Sequence, residues 1–168
     1  MKAKKIALFG IMGALAITVS FLEGLFNIPF LPPGAKPGLS NVITLCALTL
    51  VNLWGGIYIV IVKALFALLT RGFIAFLLSF AGGMISLLIM AFLLKIKKCP
   101  FSIVGISIIG AIIHNTAQLG VSILITKTPM LIYYLPVLIV FSLFSGTVTG
   151  VIIKILKPYI QRIREKDL

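Results

Sequence analysis

Acidic residues are nearly missing from this 168-residue chain, which sets 3 Asp and Glu against 15 Lys and Arg. Glu23, Glu165 and Asp167 are the whole set. That leaves no carboxylate cluster able to hold magnesium ions on a phosphorylated substrate. Cysteine is as scarce. Cys46 lies in an apolar run and Cys99 in a basic stretch, and without CxxC spacing the pair implies neither a metal centre nor a disulfide framework. Both read as structural. No GxxxxGK[ST] phosphate loop occurs, so any ATP hydrolysis must be supplied by another protein. Charged residues of both signs make up only 11% of the chain, too few for an ordinary soluble domain.

What the chain has instead is apolar surface. It is 61% hydrophobic with a mean hydropathy of +1.24, the composition of an integral membrane protein. At about 20 apolar residues per span, its length predicts an all-α compact bundle of six transmembrane helices in one domain. The expected helices cover residues 6–26, 39–54, 55–70, 72–94, 101–126 and 130–156. The first is too long and too apolar at its far end for a cleaved signal peptide. Residues 27–38 carry Pro29, Pro32, Pro33 and Pro37 with Gly34 and Gly38, which predicts a structured outer loop. The run from Leu39 to Thr70 is broken near Asn52-Leu-Trp-Gly-Gly56, where a tight turn is expected. No room remains for a soluble catalytic domain, so the expectation is a non-enzyme without cofactor or metal.

The net charge of +12 does not point to nucleic acid, because the basic residues sit at the ends of apolar runs rather than among aromatics on a soluble face. Lys2, Lys4 and Lys5, then Lys95, Lys97 and Lys98, then the tail 157–168 with Arg162, Arg164 and Lys166 fall on one side of a six-helix topology. Only Lys36, Arg71 and Lys127 fall on the other. The positive-inside rule places both termini in the cytoplasm of a plasma-membrane protein.

Polar residues at membrane depth are the functional candidates, since each costs free energy unless it meets a partner, a cavity or a ligand. His114, Asn115 and Gln118 interrupt the fifth apolar run, with Gln118 one turn beyond His114 on the same face. Lys63 falls near the middle of the third helix. With Lys36, Asn41 and Arg71 at the outer side, these residues outline a funnel floored by Lys63 and His114. Because acidic partners are scarce, Lys63 must find Glu23, a neutral acceptor, water or an anionic ligand. The alternative is that His114, Asn115 and Gln118 join helices as hydrogen-bonded glue. Small residues at Ala3, Ala7, Gly10, Gly13, Ala14 and Ala16 give the first helix a low side for close approach, either inside the bundle or to a separate membrane partner. Gly82 and Gly83 and the segment from Ser142 to Gly150 offer the same to the fourth and sixth helices.

The segments Gly34-Ala-Lys-Pro-Gly-Leu-Ser-Asn41, Gly72 to Ser86 and Gly105 to Gln118 resemble the Gx transporter family, also labelled heptaprenyl diphosphate synthase component I. That family is similar to the substrate-binding S components of energy-coupling-factor (ECF) transporters. The most specific element is Gly-Ala-x-x-His-Asn-x-x-Gln at Gly110–Gln118. Pro37 and Ser40 depart from the more usual aliphatic residue and alanine, and Lys63 stands where arginine is more common, exchanging a planar fork for a point charge. The resemblance implies a six-helix bundle with an outward-opening pocket. It also implies a first helix that docks on a membrane coupling subunit through Gly10, Gly13 and Ala14, with ATPase subunits beyond. The expected function is capture of a small anionic or amphipathic nutrient or precursor. Two other readings stand beside it: a membrane accessory in isoprenoid or quinone synthesis or in electron transfer, and a proton-coupled transporter built on His114.

Overall fold

A computed structural model describes residues 2–25, 40–96 and 101–167. They form six α-helices and one 3-10 helix, with no strand among the described residues. The helices are α1 (Lys2–Leu25), α2 (Asn41–Leu50), α3 (Leu53–Arg71), α4 (Phe73–Lys95), α5 (Ile103–Thr126) and α6 (Leu135–Asp167), and the 3-10 helix Pro129–Tyr134 precedes the last. Five stretches are long and apolar enough to cross a membrane. The second helix is not one of them. At 10 residues it is about 15 Å long, half of a hydrocarbon core of about 30 Å. The expected six full spans are therefore five long helices and one half-length helix. The expected loop 27–38, with Lys36, lies outside the described residues.

Local chemistry explains the breaks. The turn between α2 and α3 falls at Val51 and Asn52, at the start of the expected Asn52–Gly56 break, because Asn52 caps α3 by accepting from the N–H groups of Trp54 (3.0 Å) and Gly55 (3.4 Å). Gly72 alone separates α3 from α4. Its φ of +86° is open to glycine and strained for other residues, and its N–H closes α3 on the Leu68 carbonyl at 3.0 Å. Ser102 caps α5 by accepting from the Gly105 N–H at 3.3 Å. The sixth helix runs on through Pro158 to Asp167, so the basic tail continues a helix. Pro129 opens the 3-10 helix, which sets the start of α6 five residues later than expected from the apolar run alone.

Glycine contacts fix the order of packing. A Cβ at Gly146 or Gly150 would sit 2.6 Å from the Cα of Ile108 or Val104 respectively, so α6 lies backbone to backbone and antiparallel on α5. Gly83 meets Val60 while Gly56 meets Leu87, which makes α3 and α4 antiparallel. Gly82 against His114 and Gln118, with Gly110 against Met90, does the same for α4 and α5. The first helix runs parallel to α3, with Phe9 and Gly13 against Tyr58 and Glu23, near its end, within electrostatic reach of Arg71. Because α2 returns the chain within the bundle, the Lys2 end of α1 and the tail end of α6 share one end of the molecule. Lys95 and Lys154 sit exposed near that end, while Arg71 and Lys127 cap helices at the other.

The distribution of polarity is inverted relative to a soluble protein. Leu69, Phe92, Leu124 and Phe144 point outward with at least 65% of their surface exposed, whereas Glu23, Lys63, His114, Asn115 and Gln118 are buried. Such a surface suits lipid and not water. An apolar core around Leu45, Val60, Leu87, Met90, Ile106 and Ile153 ties α2 to α3, α4, α5 and α6. Gly146→Val should lower detergent-solubilised stability by about 1–3 kcal/mol through overpacking against the α5 backbone. Gly10→Ala, with nothing near its Cβ, should stay within about 0.5 kcal/mol of wild type. Thermal unfolding of the two variants checks the contrast.

Candidate functional site

One buried polar cleft gathers residues from all the long helices except α6. It is lined by Ser20 and Glu23 of α1, Ser40 at the start of α2, Lys63 and Arg71 of α3, Ala75, Leu78 and Ser79 of α4, and His114 and Gln118 of α5. Ser40 is the sole representative of the α2 region in this lining. The reason is length: α3 continues eight residues past Lys63 to Arg71, about 12 Å, whereas α2 begins beside Lys63. Beyond the start of α2, the described lining comes from α1, α3, α4 and α5. The cleft holds about 370 Å³, part of it open to the exterior. Its enclosed room is on the scale of a single water molecule.

Two hydrogen bonds position the floor. The Ser40 N–H donates to Glu23 Oε1 at 3.0 Å, so a carboxylate from α1 satisfies a donor at the N-terminus of α2, where negative charge is favoured. The Lys63 ammonium donates to Asn41 Oδ1 at 3.2 Å, giving a buried cation a neutral acceptor. Glu23 is 2% exposed, and its second oxygen, Oε2, has no hydrogen-bond partner. Arg71 stands at the rim, exposed to solvent yet within electrostatic reach of Glu23. The formal charges facing the cleft are two positive and one negative.

On the opposite wall Gln118 Nε2 and His114 Nε2 are 3.1 Å apart. For this contact to be a hydrogen bond, one nitrogen must donate, and with the amide placed as it is the Gln118 NH₂ donates to an unprotonated His114 Nε2. Gln118 Oε1 is then left without a partner. Gly82 of α4 makes this wall feasible: a Cβ there would lie 2.8 Å from Gln118 Cγ and 2.9 Å from the His114 carbonyl oxygen. The small residue brings α4 close and fixes the polar face of α5.

Of the residues anticipated from sequence, Lys63, Arg71, His114 and Gln118 meet in this cleft, and Asn41 joins them through Lys63. Asn115 does not line it. One residue on from His114, it turns about 100° around the helix and its Nδ2 donates to Ser142 Oγ on α6 at 2.8 Å, while that hydroxyl donates to the Leu138 carbonyl at 2.6 Å. Asn115 is helix-joining glue, the alternative weighed for all three. Ser20, Glu23, Ser40, Ala75, Leu78 and Ser79 were not anticipated as lining residues. Glu23 carried a signal, being the one acid before the tail, and Ser20 sits one turn before it on the same face; the other serines carried none.

The low side of α1 is divided by the packing. Gly10 and Ala14 are exposed, whereas Gly13 is buried, with Tyr58 Oη 2.9 Å from where its Cβ would be. Gly13 therefore serves α1 against α3, whereas Gly10 and Ala14, with Ala7, remain exposed. No group of three or more His, Cys, Asp or Glu residues able to hold a metal ion occurs among the described residues. Asn115→Ala and Ser142→Ala should show a coupling of about 0.6–2 kcal/mol in a double-mutant cycle of detergent-solubilised stability.

No curated protein matches the chain and no solved structure matches it. A family model does, over residues 12–156, a span that holds every described helix from Met12 of α1 to Leu156 of α6 and both walls of the cleft. The chain belongs to the heptaprenyl diphosphate synthase component I family.

Proposed function

We propose that this chain is a non-enzymatic, substrate-binding membrane subunit, an S component of an ECF-type transporter, which captures a small anionic or amphipathic nutrient or precursor. The observation that carries this reading is the placement of buried Lys63 in one cleft with Arg71, His114 and Gln118. A cation at membrane depth is costly to maintain, and its usual justification is a ligand or an ion path. The cleft lies toward the end opposite the basic termini, so a cytoplasmic placement of those termini under the positive-inside rule makes the cleft face outward from the plasma membrane. Separate coupling and ATPase subunits would supply the energy, because the chain carries no phosphate loop of its own. Exposed Gly10 and Ala14 on α1 offer the coupling subunit a surface for close approach.

The family description favours a second reading. A protein described as component I of heptaprenyl diphosphate synthase implies a companion component, and in that setting the chain is a membrane accessory that presents an isoprenoid or quinone to a separate enzyme. The scarcity of carboxylates argues that catalysis of chain elongation would reside in the companion.

Lys63→Ala and His114→Ala should each abolish retention of the small molecule that travels with the purified protein, while size-exclusion profiles stay monodisperse. Wild-type retention in both variants would overturn the assignment of the cleft. Affinity purification from membranes separates the two readings: ATPase subunits in the eluate support the transporter, and a prenyl synthase or flavoprotein without an ATPase supports the accessory.

A further inference from the structure

Charge alone says that the cleft takes an anion, since two positive groups face one carboxylate. The hydrogen-bonding inventory says more. Glu23 is almost wholly buried, one oxygen is used by the Ser40 N–H, and Oε2 has no partner. A carboxylate oxygen can only accept. Leaving it unsatisfied costs the desolvation of a charged acceptor, and an anionic group brought into the same cleft would add repulsion without supplying a donor. Gln118 Oε1 on the facing wall is a second buried acceptor without a partner. The lining of the cleft thus combines the cationic side chains of Lys63 and Arg71 with two buried acceptors that lack a hydrogen-bond partner, Glu23 Oε2 and Gln118 Oε1.

Building on the ligand-binding reading above, we infer that the cleft recognises a small anion that also carries an N–H or O–H donor, of the amino-acid or hydroxy-acid type, with Glu23 Oε2 and Gln118 Oε1 as the acceptors for that donor. The acidic group pairs with Lys63 and Arg71. The donor satisfies Glu23, which converts the one repulsive element of the site into a selective one. An anion without a donor, such as a prenyl diphosphate ester or a simple fatty acid, leaves both acceptors vacant and meets the Glu23 charge unshielded. Discrimination is strong in this direction, because a site built to accept a hydrogen bond rejects analogues that lack it more sharply than a hydrophobic pocket rejects a change of size. Ala75 and Leu78 are the apolar residues of the lining.

The test uses the full chain, purified in detergent, with mass spectrometry of the small molecules it releases. The same protein is then challenged with 4-methylpentanoate and with its 2-hydroxy and 2-amino analogues, read as thermal stabilisation. The expected result is a released compound bearing both an acidic group and an N–H or O–H donor, with its retention at least about tenfold lower in Glu23→Gln. Glutamine keeps a carbonyl oxygen for the Ser40 N–H, so the α1–α2 tie survives. Should that variant not accumulate as folded protein, Gln118→Met and the probe series on wild type carry the test, with the hydroxy or amino analogue expected to stabilise more than the bare acid. A donor-free anion held equally by wild type and Glu23→Gln, or equal stabilisation by all three probes, overturns this inference and leaves the ligand-binding reading standing. No released compound together with no response to any probe overturns both.

Discussion

The bond between the Ser40 N–H and Glu23 is the constraint on which the rest of the site depends. A helix that begins inside an apolar bundle exposes unpaired N–H groups where no water can satisfy them. The single acid of α1 meets that need at 3.0 Å and so allows α2 to start at mid-depth. Everything above that level follows. With α2 confined to its 10 residues, the described walls of the cleft come from α1, α3, α4 and α5, with Ser40 at their edge. Asn41, the first residue of α2, arrives where it can accept from Lys63.

The same economy runs through the whole bundle. Polar side chains are few, and each of the main ones performs two tasks at once. Glu23 anchors a helix with one oxygen and lines the cleft, its second oxygen being buried without a hydrogen-bond partner. Gln118 links to His114 with its nitrogen and keeps its oxygen free of partners. Asn115 uses its nitrogen on α6 through Ser142, its Oδ1 being without a hydrogen-bond partner as in Gln118, and together with Gly146 and Gly150 it locks α5 to α6. A rigid α5–α6 pair gives the wall carrying His114 and Gln118 a fixed backing, while the opposite wall contains the α1–α2 tie, which rests on fewer contacts.

The class of fold was legible because apolar length and the placement of lysines are written along the chain, and neither depends on tertiary context. The half-length of α2 was not. Residues 39–70 read as one apolar run with a break in it, and nothing in hydropathy distinguishes a short helix sealed inside a bundle from one that spans lipid. Lys63, His114 and Gln118 were legible for the opposite reason, since a costly residue in an apolar run advertises itself. Asn115 was equally conspicuous, but adjacency in sequence is divergence on a helix, and only the packing of α6 shows which way it turns. Ser20, Ser40 and Ser79 were hidden by their cheapness, because a serine can satisfy itself on its own helix backbone and is common in membrane spans.

The two readings of function differ chiefly in what they ask of Glu23. A headgroup carrying only phosphate oxygens would be held by Lys63 and Arg71 while pressed against a buried carboxylate, so part of the attraction would be lost to repulsion that no solvent screens. Evacuating Glu23 from the cleft would relieve that repulsion but would leave the N-terminus of α2 without its acceptor. Anion binding and helix anchoring are therefore coupled through one side chain. A ligand that brings its own donor removes the conflict, since it neutralises Glu23 in place and leaves α2 seated. In the ligand-binding reading proposed above, a molecule that completes the hydrogen bonds of both walls fits a selective binder of polar solutes better than a dock for prenyl chains.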